Sequence, residues 1–203
     1  MARHRKVVFD VGNVLLRWDP FHLYRRLIPD ETRRDWFLRN VCTAAWNIEQ
    51  DRGRPWPEAV TTLVAEHPEW EREIRAFDER WHETVPESIA GSVAVLEELK
   101  DRGEAVYAIT NFSREKWAEC LIRFPFLQRF DGAVVSAHEA LLKPDPAIYR
   151  TLLDRYGLEA DGCIFVDDSA RNVEAARSVG MQAVHFVEPI DLRSALKALG
   201  AAL

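Results

Sequence analysis

The chain has 203 residues, 47% hydrophobic and 30% charged, with a net charge of −6 at pH 7. That length buries a sizeable core, as one large domain or a domain with a lid. The acidic balance excludes a general nucleic-acid binder, which carries a basic surface, and no apolar run approaches the ~20 residues that span a bilayer.

The basic opening Met1–Lys6 imitates the start of a signal peptide, but Asp10 breaks the following apolar run, so no signal peptide is expected. Lys6 to Val11 reads as a short buried strand, β-branched and aromatic, and Gly12-Asn13 turns the chain. Residues 18–81 then read as a helical segment rich in tryptophan (Trp18, Trp36, Trp46, Trp56, Trp70, Trp81). Asp19-Pro20 opens a helix through about Leu27, and Pro29-Asp30 a second through about Arg39. Arg52 to Pro57 is a break. Helices over Ala59–Glu66 and Glu69–His82 follow, separated by Pro68. Most of these aromatic residues are expected to form the core of a small bundle, with one or two facing a pocket.

From Pro86 helices and strands alternate. Helices are expected over Ile89–Lys100, Arg114–Arg123 (Ser113 as cap), Asp145–Tyr156, Ala170–Val179 and Leu192–Leu199. Strands are expected over Ala105–Thr110, Gly132–Ser136, Cys163–Val166 and Gln182–Phe186. Such βα alternation predicts a Rossmann-like α/β fold, a parallel sheet between two helical layers. Right-handed crossovers then bring every strand's C-terminal end to one rim. Cys42, Cys120 and Cys163 are odd in number and far apart. They form neither a metal pattern nor a disulfide framework, so a reducing, cytoplasmic setting is expected.

Four polar strand ends meet on that rim: Asp10, Thr110-Asn111, Lys143-Pro144 and Asp167-Asp168. Each has a plain structural reading. Asp10 solvates a sheet edge, Thr110 caps a helix, Lys143 lies on the surface, and Asp167-Asp168 favour a helix N-terminus. Together they suit one chemistry. Several carboxylates on one rim repel each other unless a cation is present, and oxygen-only ligands select a hard ion such as Mg²⁺. An ammonium and a hydroxyl beside them suit a phosphoryl group, whose transfer depends on positioning and charge neutralisation. A carboxylate can also act as the nucleophile.

These residues resemble the haloacid dehalogenase-like hydrolase superfamily. The matching motifs are Phe9-Asp10-Val11-Gly12-Asn13-Val14-Leu15, Ile109-Thr110-Asn111, Lys143-Pro144-Asp145-Pro146, and Phe165-Val166-Asp167-Asp168-Ser169 with Asn172. The resemblance implies an α/β core of residues 1–15 and 87–203 carrying a helical cap of residues 16–86. It implies that Asp10 is the nucleophile, that Thr110 and Asn111 bind phosphoryl oxygens, and that Lys143 holds both nucleophile and phosphate. Asp168 would bind Mg²⁺ directly, with Asp10, the Gly12 carbonyl and Asp167 completing the metal site. The implied activity is a Mg²⁺-dependent phosphatase of a small phosphate ester, most simply a sugar phosphate.

The chain departs from the pattern at Gly12, where most phosphatases of the superfamily carry a second Asp that acts as general acid and base. Asp19 and His22 are the substitutes that position suggests, and Arg17, Arg25, Arg26 and Arg52 are candidate anion binders. Two other readings stand beside the phosphatase. One is a 2-haloacid dehalogenase using Asp10, which the acidic pair Asp167-Asp168 disfavours. The other is a weakly active phosphometabolite binder, motivated by Gly12.

Overall fold

The computed structural model describes residues 4–203; the first three residues of the basic Met1–Lys6 run lie outside the described residues. The chain opens with β1 (Lys6–Phe9). A helical insert follows: α1 (Phe21–Leu27), α2 (Glu31–Asn40), α3 (Ala44–Asp51), α4 (Trp56–Glu66) and α5 (Glu71–Glu79). The alternating part runs α6 (Ala90–Asp101), β2 (Val106–Thr110), α7 (Arg114–Arg123), β3 (Gly132–Val135), α8 (Ser136–Glu139), α9 (Pro146–Tyr156), β4 (Cys163–Asp167), α10 (Ala170–Ser178), β5 (Gln182–His185) and α11 (Pro189–Ala198). No helix of the described residues is long and apolar enough to cross a membrane.

The five strands form one parallel sheet in the order β3-β2-β1-β4-β5. β1 is central because the chain first winds outward through β2 and β3, then crosses back to β4. That reversal opens a crevice at the C-terminal ends of β1, β2 and β4, the ligand position of open α/β sheets. Phe9 is in register with Ala108 and Val166, so Asp10, Thr110 and Asp167 leave the sheet at nearly one level.

Alternation along each strand builds the three layers. Val7, Phe9, Val106, Ala108, Ile164 and Val166 face a core that continues into the insert. Val8, Tyr107, Ile109, Cys163 and Phe165 face the opposite core, against Ile148, Tyr149 and Val173. Both faces are covered, which is why these strands read as unbroken apolar runs. Burying each such side chain contributes roughly 1.5–3 kcal/mol.

The insert differs from its expected outline: α4 begins at Trp56, within the expected break over Arg52–Pro57, because Pro57 fits the first turn of a helix. An unforeseen helix, α3, is capped by Thr43, whose hydroxyl accepts from Trp46 N–H at 2.9 Å. The segment expected as one helix over Glu69–His82 is divided. A 3₁₀ turn spans Pro68–Trp70, α5 follows, and a second 3₁₀ turn spans Trp81–Thr84. The second break turns Trp81 onto Phe112 of the α/β part, ring centroids 5.5 Å apart. Ser113 occupies the N-cap position of α7 without a side-chain cap bond; its hydroxyl accepts from Trp56 Nε1 at 2.8 Å and ties the insert to the sheet's rim. Tyr24, Phe37, Trp70 and Phe77 pack as aromatic core, whereas Trp18, Trp56 and Trp81 also reach a cavity.

Candidate active site

The cavity has a volume of about 280 Å³ and lies between the rim and the insert. Asp10, Gly12, Asn111, Lys143 and Asp168 line its floor, with Asn172 beside them. Asn47 and Asp51 of α3 face it from the insert, and Trp18, Trp56, Trp81 and Phe112 form apolar walls.

Lys143 is the hub of the floor. It is 5% exposed, and its Nζ lies 2.7 Å from both Asp10 Oδ1 and Asp167 Oδ2. Asp10 Oδ1 also accepts from Val11 N–H at 2.7 Å, while Oδ2 accepts no hydrogen bond among the described residues. Asp167 is fully buried and accepts from Ser169 N–H and from Asn172 Nδ2 as well as Lys143. Those bonds fix Asp167 as an anchor for Lys143. Asp168 is exposed and makes no ion pair among the described residues, although the amide of Asn13 is near it. Asn13 adopts a left-handed φ of 54°, which sharpens the turn after Asp10.

Charge is unbalanced at this floor. Burial pushes the Asp10 carboxyl up to about 7, against the pull of Lys143 and with further push from Asp167 and Asp168. Burial and the Asp167 charge also raise Asp168. One ammonium therefore pairs with two carboxylates, and the third, Asp168, stands beside them. Oxygens of Asp10, Asp167 and Asp168 all lie within 4.8 Å of one another, a spacing and a donor type that fit a hard dication.

Thr110 ends β2 and does not itself line the cavity. Its hydroxyl is buried at the rim without a hydrogen-bond partner, a costly state unless a ligand supplies one. Asn111 lines the cavity, but its side-chain amide is spent on the main chain of Lys143. Gly12 lines the cavity, and a Cβ added there would meet nothing within 4 Å.

The other sequence candidates lie elsewhere. Asp19 accepts from Phe21 N–H at 2.8 Å as a local cap, and neither it nor His22 lines the cavity. Arg17 pairs with Glu87, Arg26 with Glu83 and Arg52 with Glu49, while Arg25 stacks on Phe21. None of the four lines the cavity.

Asp51 and Asn47 were not foreseen. Burial pushes the Asp51 carboxyl up to about 7; a backbone bond from Ser113 and the Lys143 charge oppose the rise, and Asp10 adds to it. The available signal was an acidic pair, Glu49 and Asp51, in the last turn of a helix, where the macrodipole disfavours negative charge.

A family profile described as haloacid dehalogenase-like hydrolase matches residues 48–186. The chain is 27% identical over 186 residues to the sesquiterpene phosphatase astK of Aspergillus oryzae, covering 92% of this chain and 91% of that protein. It is 25% identical to a phosphorylated carbohydrates phosphatase of Thermotoga maritima, covering 89% of this chain and 84% of that one. A magnesium complex of a Bacteroides thetaiotaomicron enzyme of the same family superposes with a TM-score of 0.71 at 17% identity, over 90% of this chain and 92% of that one. The same enzyme with magnesium and inorganic phosphate gives 0.70 at 18% identity, over 89% and 93%. With a profile spanning more than half of its length and the fold in agreement, the chain belongs to the haloacid dehalogenase-like hydrolase family.

Proposed function

We propose that the protein is a Mg²⁺-dependent phosphatase that hydrolyses a small phosphate monoester through an aspartyl-phosphate on Asp10. The observation that carries this reading is the Lys143 hub, with Asp10 and Asp167 each 2.7 Å from its ammonium, beside the free carboxylate of Asp168. The similarity to two phosphatases supports it. The phosphoryl group would lie over Lys143 and the Thr110 hydroxyl. The Asp10 carboxylate attacks phosphorus, the ester oxygen leaves, and water then hydrolyses the acyl phosphate. Asp10, Asp168 and the Gly12 main-chain carbonyl would hold Mg²⁺, with Asp167 assisting. The ion would supply the positive charge that one lysine cannot. The proposed division of labour is an α/β core of residues 1–15 and 87–203 and a cap of residues 16–86 that selects the substrate.

A sugar phosphate is the favoured substrate class. The cavity is at the small end of ligand pockets. Asn47 Oδ1 is shielded there without a partner, an acceptor suited to a substrate hydroxyl. A phosphorylated apolar alcohol is the second reading, favoured by the walls of Trp18, Trp56, Trp81 and Phe112. A long prenyl chain would need the insert to open. Dehalogenation is disfavoured, because Asp168 adds a second acid beside Asp167 where only a cation would relieve the repulsion.

Phosphate release from a panel of sugar phosphates and short prenyl phosphates with Mg²⁺, compared with Asp10→Asn, tests the proposal. Turnover abolished in Asp10→Asn is the expected result. No turnover on any ester by folded protein, or chloride release from chloroacetate in EDTA, would overturn it.

A further inference from the structure

Gly12 leaves the site without the group that would move protons to and from the leaving oxygen and the attacking water. The cavity contains one carboxylate that neither the Lys143 hub nor the acidic cluster uses, Asp51. Its position is set by the α/β part of the molecule. The Asp51 carbonyl accepts from Ser136 Oγ at 2.5 Å, and the same Ser136 oxygen accepts from Phe112 N–H at 2.9 Å. The turn that follows requires glycine. Gly53 has a φ of 118°, and a Cβ there would lie 3.3 Å from the Ala137 carbonyl. The C-terminal end of α3 is therefore fastened to the rim, with its last carboxylate beside the floor.

The cations near Asp51 are engaged elsewhere. Arg54 donates to Gln50 Oε1 at 2.8 Å and Trp46 O at 2.9 Å, and Arg114 donates to Ala137 O at 2.9 Å. Lys116 is bound to Asp78 at 2.6 Å and Glu119 at 3.0 Å, and Arg52 lies 3.5 Å from Glu49. Lys143 serves Asp10 and Asp167. Asp51 makes no ion pair among the described residues. It stands at the negative end of α3 and faces a cavity shared with the acids Asp10 and Asp168.

We infer that Asp51 is the general acid–base catalyst of this site, supplying from the helical insert the proton transfers that Gly12 cannot. The inference rests on the phosphatase reading. In the first half-reaction the Asp51 carboxyl gives its proton to the ester oxygen as the bond from phosphorus to that oxygen breaks and the bond to Asp10 forms. In the second, the Asp51 carboxylate takes a proton from water as the water oxygen bonds to phosphorus. The Asp10–phosphorus bond then breaks, phosphate departs, and Asp51 is protonated for the next cycle. Burial brings its carboxyl to about 7, where both directions are available at neutral pH.

The test compares Asp51→Asn with wild type at saturating Mg²⁺, using p-nitrophenyl phosphate and the best alkyl ester of the substrate panel. On the alkyl ester, kcat is expected to fall about 10²–10⁴-fold. On p-nitrophenyl phosphate, whose leaving group needs no acid, Asp51→Asn is expected to release one equivalent of p-nitrophenolate in a burst. Slow turnover follows, because dephosphorylation still lacks its base. Asp51→Glu retains a carboxyl and is expected to keep more alkyl-ester turnover than Asp51→Asn. Gly12→Asp placed in the Asp51→Asn background is expected to restore at least tenfold. Equal losses on both esters without a burst, or alkyl-ester turnover within threefold of wild type, would overturn the assignment. Asp10→Asn separates the two readings. If wild-type turnover is absent or survives Asp10→Asn, the phosphatase reading and the Asp51 role fall together. If it requires Asp10 but ignores Asp51, only the Asp51 role falls.

Discussion

Asn111 and Lys143 grip each other across the mouth of the sheet: Lys143 N–H donates to Asn111 Oδ1 at 2.8 Å, and Asn111 Nδ2 donates back to the Lys143 carbonyl at 3.2 Å. Asn111, which follows the last residue of β2, thus sets the height of Lys143, whose ammonium sits at the floor. Asn111→Ala is expected to lower kcat about 10²-fold, the usual scale for a misplaced catalytic group. Asn111→Asp keeps the acceptor for Lys143 N–H but turns an oxygen toward the Lys143 carbonyl and adds a carboxylate to an acidic floor, so it is expected to lose at least as much. Steady-state kinetics of the two variants, with a Mg²⁺ titration of each, checks the order.

Removing the ammonium itself leaves Asp10 and Asp167 buried without a cation. Lys143→Met is expected to abolish turnover and to cost about 3–5 kcal/mol of stability. For a chain of this length that is a fall in Tm of roughly 6–20 °C. The loss should depend on pH. Burial already raises the Asp10 carboxyl to about 7, and without the opposing pull of Lys143 it rises further. The folded variant then binds a proton that the unfolded chain has released, so its stability rises as pH is lowered from 8 toward 5. Thermal melts of both proteins in EDTA across that range measure it. A pH-independent difference would show that the Asp10–Lys143 pair does not dominate the loss.

The oxygen cluster makes a prediction that needs no substrate. A dication held by Asp10 and Asp168, as proposed, would bind the folded state alone and stabilise it by linkage. At about 100 times its Kd this amounts to ~2.7 kcal/mol, or roughly 5–10 °C in Tm. Mg²⁺ is expected to raise the wild-type melt by this amount, EDTA to reverse it together with activity, and Asp168→Asn to remove the shift. An unchanged Asp168→Asn response would place the ion elsewhere.

The α/β frame was legible because its strands are short apolar runs that end abruptly in polar residues. Asp10, Thr110 and Asp167 mark the C-terminal ends of β1, β2 and β4 even without coordinates. Lys143 was legible only through its company in the motif set, since a lysine before a proline is otherwise a surface residue. Asp51 was hidden for a physical reason. Local rules favour a loop where two acids end a short helix, and the contacts that override them are distant in sequence. Ser136, which fastens the Asp51 carbonyl, lies 85 residues away. Asp19 and His22 stand at the entrance to the insert, but Asp19 caps the start of α1 and neither lines the cavity that α3 enters. The tryptophans were ambiguous for a related cause. Trp70 and Trp81 are alike in local pattern, and only the 3₁₀ break at Trp81 turns that ring toward Phe112 and the cavity.

Holding a carboxyl in the place of Asp51 has a stability consequence separable from its proposed catalytic one. Its folded value of about 7 exceeds its ordinary 3.8, so between these two values the folded chain binds more protons than the unfolded chain. Stability is therefore lost as pH rises through that window, and at pH 8 the ionised, shielded carboxylate is a net cost. Asp51→Asn keeps the shape and the acceptor oxygen but removes the charge. It is expected to be more stable than wild type by on the order of 2 kcal/mol at pH 8, after discounting for partial solvent contact. The gain should shrink to nothing by about pH 4. Chemical denaturation of both proteins at pH 4, 6 and 8 in EDTA gives the comparison. A constant difference across the three would mean that Asp51 is ionised throughout and carries no proton into the site. A gain confined to the higher pH values would show a residue kept at a thermodynamic cost, as the proposed proton-transfer role requires.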